Sequence, residues 1–185
     1  ARAIVLVLAI PVHEYAHAFV AARMGDPTAR CHGRISLNPF DHLDPWGVLV
    51  FMLTGFGWAR PVPVNSFYFR DRRKGMVAVA LAGPASNLLL ALASLVLYKI
   101  LRLALIFTPL GRMGWLFGAV LQIVWLMVSA NITLAVFNLL PIPPLDGWRV
   151  VSALMPQETY WKVAQHEREI SFVLIFVILF TPILS

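Results

Sequence analysis

The fold class follows from one uncharged stretch, GMVAVALAGPASNLLLALASLVLY, at residues 75–98. A helix needs about 20 mostly apolar residues to cross the hydrocarbon core of a bilayer, and this stretch is long enough. Three further stretches meet or approach that length, at residues 3–22, 113–145 and 170–185. We therefore predict a mainly α-helical, polytopic membrane protein with about four transmembrane helices, at 3–22, 75–98, 113–140 and 170–185.

The composition agrees with a membrane protein. Of the 185 residues, 59% are hydrophobic and 13% are charged, and this charged share is about half that of an average soluble domain. Such a chain is too apolar for a soluble enzyme or a disordered tail, and its single cysteine cannot form an internal disulfide. The net charge of +6 comes from basic residues scattered between apolar stretches, which favours membrane-flanking loops over a nucleic-acid-binding face.

The long segment after the first predicted helix is not a simple loop. Residues 45–59 are apolar and glycine-rich but short, so we expect a re-entrant or partial membrane element there. Residues 34–38 and 60–65 alternate polar and apolar side chains, and two prolines restrict the second of these to a sheet edge. We predict a small membrane-associated β-sheet, within a single domain that spans residues 1–185 and is trimmed at its termini.

The distribution of basic residues orients the predicted helices. With four crossings, segments 23–74 and 141–169 lie on one side and carry eleven Lys and Arg, against four on the other side. Positive residues concentrate in cytoplasmic loops. We therefore expect both segments to face the cytoplasm.

The first predicted helix contains His13-Glu14-Tyr15-Ala16-His17, an H-E-x-x-H motif. Residues four apart lie on one face of a helix, so both imidazoles can reach one metal ion, and Glu14 is placed to take a proton from water that the metal activates. Inside an apolar span these side chains cost several kcal/mol unless they are paired or coordinated. A polar network between helices or a proton relay is the alternative interpretation.

A zinc site needs a third protein ligand. Asp146 is the strongest candidate because it follows 33 uncharged residues, within NLLPIPPLDG at 138–147. Three prolines break the helix there, and such backbone is tolerated at membrane depth only where it is buried or lines a cavity. Alternatively, Asp146 only caps the next helix at the surface. The other candidates lie in charged segments: Asp26, His32, Asp41, His42, Asp44, Asp71, Glu158, His166 and Glu167.

The predicted topology brings the polar residues of three helices to one depth. His13 and His17 lie in the second half of a helix that runs toward the cytoplasm. Asn87 lies about a third of the way into the next crossing, and Asn138 and Asp146 lie at the cytoplasmic end of the third. Polar residues that were merely tolerated in a membrane would have no reason to share a level.

These motifs together resemble the site-2 protease family of intramembrane zinc metalloproteases. The resemblance rests on H-E-x-x-H at 13–17, G-P-x-x-N at 83–87 and N-x-x-P-x-P-x-L-D-G at 138–147, and it covers residues from about 4 to 155. The stretch GRISLNP at 33–39 is similar to the small bacterial members. We see no PDZ-like insertion and no CBS-like extension, so the chain resembles a minimal bacterial-type member.

The resemblance implies one Zn²⁺ per chain, bound by His13, His17 and Asp146, with Glu14 as the general base. It implies hydrolysis of peptide bonds in or near transmembrane segments of membrane-anchored substrates, which is the chemistry of regulated intramembrane proteolysis. It also implies a multi-pass protein of the bacterial cytoplasmic membrane, with its active site toward the cytoplasm.

Further roles are implied for residues around the metal. Asn138 and Asn87 would hold substrate or stabilise the oxyanion, and segments 33–39 and 60–65 would pair with an unwound substrate strand. The expected partners are a transmembrane protein substrate and the lipid bilayer, with no nucleic acid; the oligomeric state is not predicted. The main alternative is a non-hydrolytic membrane metal-binding protein, such as a transporter or sensor, and the second is an inactive scaffold that binds transmembrane helices.

Overall fold

The computed structural model describes residues 2–54, 57–107 and 114–180, and these residues are mainly helical. Within them, eight α-helices follow one another along the chain: α1 Arg2–Arg23, α2 Thr28–Cys31, α3 Pro45–Thr54, α4 Arg72–Phe107, α5 Gly114–Asn138, α6 Asp146–Leu154, α7 Gln157–Ala164 and α8 Glu167–Phe180. Two short 3₁₀ turns, at Pro39–Asp41 and Ser66–Tyr68, lie between α2 and α4.

Among the residues that the structure describes, two helices are long and apolar enough to cross a membrane, with candidate spans Arg72–Leu105 in α4 and Gly114–Asn138 in α5. The first contains the crossing predicted at 75–98, and the second ends two residues before the end of the crossing predicted at 113–140. Four crossings are not confirmed, because α1 has 22 residues but is not one of these two spans. Helix α8 has 14 residues and ends at Phe180; residues 181–185 lie outside the described part of the chain.

Helix α4 is the centre of the bundle and packs against α1, α5 and α6. Its buried positions are mostly small: Val79, Ala80, Asn87, Ala91 and Ser94. Small side chains let helix backbones approach closely in a bilayer, where the hydrophobic effect does not drive helices together. The close packing of α1 on α4 brings the two motif-bearing helices into contact.

The turn that ends α1 requires a glycine. Gly25 has φ of 105°, a conformation that L side chains rarely adopt, and a Cβ there would lie 3.2 Å from the carbonyl oxygen of Tyr68. The start of α4 is fixed by Asp71, whose carboxylate accepts the N–H of Lys74 at 3.0 Å. This backbone hydrogen bond lowers the pKa of Asp71 below its ordinary value.

The predicted β-sheet is not confirmed. The described residues contain a single isolated antiparallel bridge, between Leu43 and Ala59, and no strand ladder. The apolar segment at 45–59 contains α3, whose ten residues are about 15 Å long, or half the hydrocarbon thickness. That length is consistent with a partial element, and its placement in a bilayer stays a prediction.

A buried arginine explains why the segments predicted as strands do not pair with each other. The guanidinium of Arg34 donates to the carbonyl oxygens of Asp41, Arg60 and Pro61. These backbone acceptors are therefore satisfied by a side chain rather than by a neighbouring strand. Burial lowers the pKa of the Arg34 guanidinium from its ordinary value, and the group remains a cation at neutral pH.

Asp26 forms hydrogen bonds at the other end of the segment at residues 60–65. It is fully buried, and its carboxylate accepts the backbone N–H groups of Thr28 at 2.9 Å and of Asn65 at 2.7 Å. The N–H of Arg60 donates to the carbonyl oxygen of His42 at 2.7 Å. Residues 60–65 are thus held by hydrogen bonds at both ends, and Pro61 and Pro63 favour an extended backbone between them.

Replacing Arg34 with Met should loosen residues 57–65. Hydrogen bonds from a charged donor contribute about 1.5–3 kcal/mol, so we expect roughly ten- to hundredfold faster amide exchange in this segment. Hydrogen exchange with mass spectrometry of the detergent-solubilised protein measures the exchange rate of these amides. Arg30→Met, which removes an exposed cation on α2, is the control; equal exchange in the two variants would contradict the assignment.

Candidate metal centre

Three potential ligands from two distant parts of the chain meet in the helix bundle. His13 Nε2 lies 3.0 Å from His17 Nε2, and Asp146 Oδ2 lies 3.1 Å from both nitrogens. The three side chains are buried, with 9%, 3% and 7% of each residue exposed. Among the described residues, they are the one group of three or more His, Cys, Asp or Glu that could hold a metal ion.

Local sequence explains how Asp146 reaches the two histidines. Helix α5 ends at Asn138, and a proline-containing turn leads to α6, which begins at Asp146. The next residue, Gly147, packs so closely that a Cβ would lie 2.2 Å from the carbonyl oxygen of Leu139. The Asp-Gly pair therefore lets the chain fold back on the end of α5 and point the carboxylate into the bundle.

The second nitrogen of each imidazole is bound by α4. His17 Nδ1 lies 2.7 Å from the carbonyl oxygen of Val79, and His13 Nδ1 lies 3.2 Å from Asn87 Oδ1. Both partners are acceptors, so each Nδ1 carries the proton and each Nε2 presents a lone pair. Such contacts fix the tautomer and the ring orientation of a metal-binding histidine.

The donor set fits zinc. Two imidazole lone pairs and a carboxylate oxygen converge within 3.1 Å, an arrangement that is repulsive without a cation among them. The centre of a triangle with these sides lies about 1.8 Å from each corner, close to the ordinary zinc–ligand distances of about 2.0–2.2 Å, so these three residues would hold a zinc ion after only small movements. Two histidines and one carboxylate also leave a fourth position open, as in catalytic zinc sites.

Helix α4 contributes a close backbone surface at Gly83. A Cβ at this position would lie 2.4 Å from His17 Nε2 and 2.6 Å from His13 Nε2. Any side chain at residue 83 would therefore occupy the space in front of the two ligand nitrogens. The glycine keeps that space free of side-chain atoms.

Glu14 is half-buried and is not part of the three-ligand group. Its Oε2 accepts the backbone N–H of Val62 at 3.2 Å. Pro61 and Pro63 lack an N–H, so Val62 supplies the one backbone donor of residues 61–63. The extended segment that passes beside the metal centre thus orients the motif carboxylate.

The two asparagines that were predicted as site residues occupy different environments. Asn87 is fully buried and contacts His13 through Oδ1, whereas its Nδ2 has no partner among the described residues. Asn138 is half-buried, and its Nδ2 donates to the carbonyl oxygen of Leu134 in its own helix at 2.9 Å. Of the two amides, only Asn87 is shown in contact with a histidine of the motif.

Two contributions of α4 were not recognised from the sequence. Val79 acts through its backbone carbonyl, for which the side chain gives no signal. Gly83 belongs to the G-P-x-x-N cluster, and its spacing of four residues from both Val79 and Asn87 is the signal that could have placed it on the same face.

Replacing Gly83 with Ala should weaken zinc binding by roughly tenfold or more, because the added Cβ displaces the ligand nitrogens. Zinc content after dialysis against graded chelator measures the loss. Gly118→Ala in α5 is the matched control, since a Cβ there meets nothing within 4 Å and should leave zinc unchanged. Equal zinc retention in both variants would refute the close approach at residue 83.

Replacing Asn87 with Ala should lower zinc affinity about 10- to 100-fold, because His13 loses the acceptor that fixes its tautomer. Asn87→Asp replaces the amide oxygen with a carboxylate oxygen, which also accepts a hydrogen bond from His13, and should retain most of the zinc affinity. Chelator competition measures both. If the alanine variant binds zinc as the unmodified protein does, Asn87 does not orient His13.

Comparison with known proteins gives a consistent result. The sequence model of peptidase family M50 matches residues 114–182. Several proteins whose names begin "Putative zinc metalloprotease" are similar over nearly the whole chain, and two of them serve as examples. YwhC of Bacillus subtilis is 40% identical, over 97% of this chain and 80% of its own length. Rip2 of Mycolicibacterium smegmatis is 32% identical, over 96% of this chain and 66% of its own length.

No solved structure matches the chain significantly. The region matched by the family model includes Asp146, and the similarity to YwhC extends over the part of the chain that carries His13 and His17. The donor set and the relatives therefore agree on a zinc-dependent endopeptidase. The chain belongs to peptidase family M50, the site-2 protease family of zinc metalloproteases.

Proposed function

We propose that this zinc metalloprotease cleaves peptide bonds in or near the transmembrane segments of membrane-anchored proteins, with its zinc held by His13, His17 and Asp146. The observation that carries the proposal is the convergence of these ligands against α4, a helix long and apolar enough to cross a membrane. A zinc protease whose metal-binding histidines form hydrogen bonds with such a helix is suited to substrates within the bilayer.

The depth of the site along α4 supports this substrate class. The uncharged part of α4 begins at Gly75, and the two residues that bind the imidazoles, Val79 and Asn87, follow it by four and twelve positions. At 1.5 Å per residue they lie about 6 and 18 Å along the helix axis, within a hydrocarbon core of about 30 Å. A peptide bond cleaved there would lie below the headgroups.

The chemistry assigned to the site is amide hydrolysis. Zinc, when bound, supplies Lewis-acid activation of water and of the scissile carbonyl. Glu14 accepts a proton from the attacking water and then delivers it to the leaving amine, as a general base followed by a general acid. The N–H of Val62 holds the Glu14 carboxylate in place during both steps.

We propose different roles for the two asparagines. Asn87 is fully buried and bound to His13 Nδ1, which supports a positioning role rather than direct contact with substrate. Asn138 remains the candidate for substrate binding or oxyanion stabilisation, because it is half-buried at the end of α5, eight residues before Asp146. A side-chain amide can donate to an oxyanion once it leaves its helical acceptor.

The extended segment at residues 60–65 is the proposed docking edge for an unwound substrate. A helix hides its scissile carbonyls in its own hydrogen bonds, so the substrate must unwind and find replacement backbone partners. The segment lies beside Glu14 and is fastened by Asp26 and Arg34. It can therefore receive a peptide without itself being displaced.

The proposed topology keeps the site near the cytoplasm. Segments 23–74 and 141–169 carry eleven of the fifteen basic residues, and basic loops remain on the cytoplasmic side. Both segments adjoin the metal centre, through Val62 and through Asp146. We propose a multi-pass protein of a bacterial cytoplasmic membrane, with water reaching the site from the cytoplasm.

Replacing Glu14 with Gln should abolish cleavage and keep zinc, because the amide cannot accept the proton while the three ligands remain. Asp146→Ala should lose most of its zinc, because one of the three ligands is removed. The measurements are zinc content of the purified protein and cleavage of a single-span reporter in proteoliposomes.

Two outcomes would contradict the proposal. Cleavage by Glu14→Gln at the original rate would remove Glu14 from the mechanism, and unchanged zinc in Asp146→Ala would redirect the search for a ligand to Asp26, His32 or Asp44. Zinc flux into liposomes without reporter cleavage would favour the alternative function, a non-hydrolytic metal transporter. A transporter has no use for a carboxylate that is fixed beside the metal ligands.

A further inference from the structure

A separate cavity lies between α4 and α5, away from the metal centre. It is open toward the surface of the bundle, has a volume of about 410 Å³ and is lined by Leu95, Tyr98, Lys99, Arg102, Leu103 and Trp125. Lys99 follows Asn87 by twelve residues in α4, which corresponds to about 18 Å along the helix axis. The cavity is therefore about half a bilayer away from the catalytic residues.

The cavity contains two cations for which the surrounding helices provide no carboxylate. No Asp or Glu occurs in residues 72–145, so α4 and α5 carry none. Residues 1–12 and 171–185, which the proposed topology brings to the same side of the membrane, also contain none. Lys99 and Arg102 are exposed, so an anion that pairs with them would come from outside these segments.

The remaining lining residues indicate the nature of that anion. The rings of Tyr98 and Trp125 lie 5.3 Å apart, and such aromatic residues are enriched at the boundary between hydrocarbon and headgroups. The uncharged stretch 75–98 ends directly before Lys99, which places the two cations at the same boundary. Leucines at 95 and 103 complete an apolar wall beside the charges.

We propose that this cavity binds one anionic phospholipid from the leaflet opposite the metal centre. Lys99 and Arg102 bind the phosphate and the anionic headgroup, and the leucines and aromatic rings pack against the glycerol and the upper acyl chain. A soluble phosphate would satisfy only the cations, whereas a phospholipid matches both the charge and the apolar wall. This inference is independent of the proposed proteolytic activity.

The test reconstitutes the full chain into phosphatidylcholine vesicles that contain a small share of brominated lipid, which quenches nearby tryptophan fluorescence. Trp125 lines the cavity, and its contribution is the difference between the unmodified protein and Trp125→Phe. We expect brominated phosphatidylglycerol to quench Trp125 with a roughly tenfold higher apparent affinity than brominated phosphatidylcholine. Lys99→Gln combined with Arg102→Gln should abolish this preference.

Two further variants separate the cavity from general charge effects. Lys99→Arg combined with Arg102→Lys keeps both charges and should keep the preference. Arg72→Gln combined with Arg73→Gln removes an exposed basic pair at the other end of α4 and should also keep it. Circular dichroism verifies that all variants remain folded, and an excess of inorganic phosphate should not displace the lipid.

Three results would overturn the inference. Equal quenching of Trp125 by the two brominated lipids in the unmodified protein would show that the cavity does not select an anionic headgroup. A preserved preference in the double glutamine variant would show that the two cations do not create it. Loss of the preference in excess phosphate would identify a free anion, rather than a lipid, as the ligand.

Discussion

The arrangement of the protein depends on bringing three electron-pair donors within 3.1 Å of one another inside an apolar bundle. Two imidazole nitrogens and a carboxylate oxygen at that separation are mutually repulsive, and burial prevents water from relieving the repulsion. A divalent cation resolves the conflict, and the binding free energy of such an ion also contributes to folding. The packing of α1 against α4 and the broken segment before α6 together bring the three donors to this separation.

Helix α4 supplies the support for the ligands although it contributes none of them. Three positions on one face, each four residues from the next, serve the centre in different ways: Val79 by its carbonyl, Gly83 by the absence of a side chain, and Asn87 by its amide oxygen. The same helix is a candidate membrane span. The proposed depth of the candidate zinc site therefore follows from the helix that supports it.

The meeting of His13, His17 and Asp146 could be predicted from sequence because each is a polar side chain in an apolar context, where the cost of burial demands a partner. The small sheet predicted around residues 34–38 and 60–65 is not confirmed. Alternation of polar and apolar residues indicates which side chains are buried and not where the backbone groups form hydrogen bonds. Arg34 and Asp26 take those backbone groups instead. Long-range bonds between a side chain and a backbone group leave no periodic signal.

The contact between Glu14 and the N–H of Val62 has a consequence for mutational studies. Its donor is a main-chain group, so every residue except proline at position 62 would preserve it, and the carbonyl of Val79 is similarly indifferent to its side chain. Both valines are also buried in apolar clusters, so an alanine scan would report the loss of their side-chain packing and not these main-chain contacts. Only changes to the backbone itself would reveal what the two main-chain groups contribute to the centre.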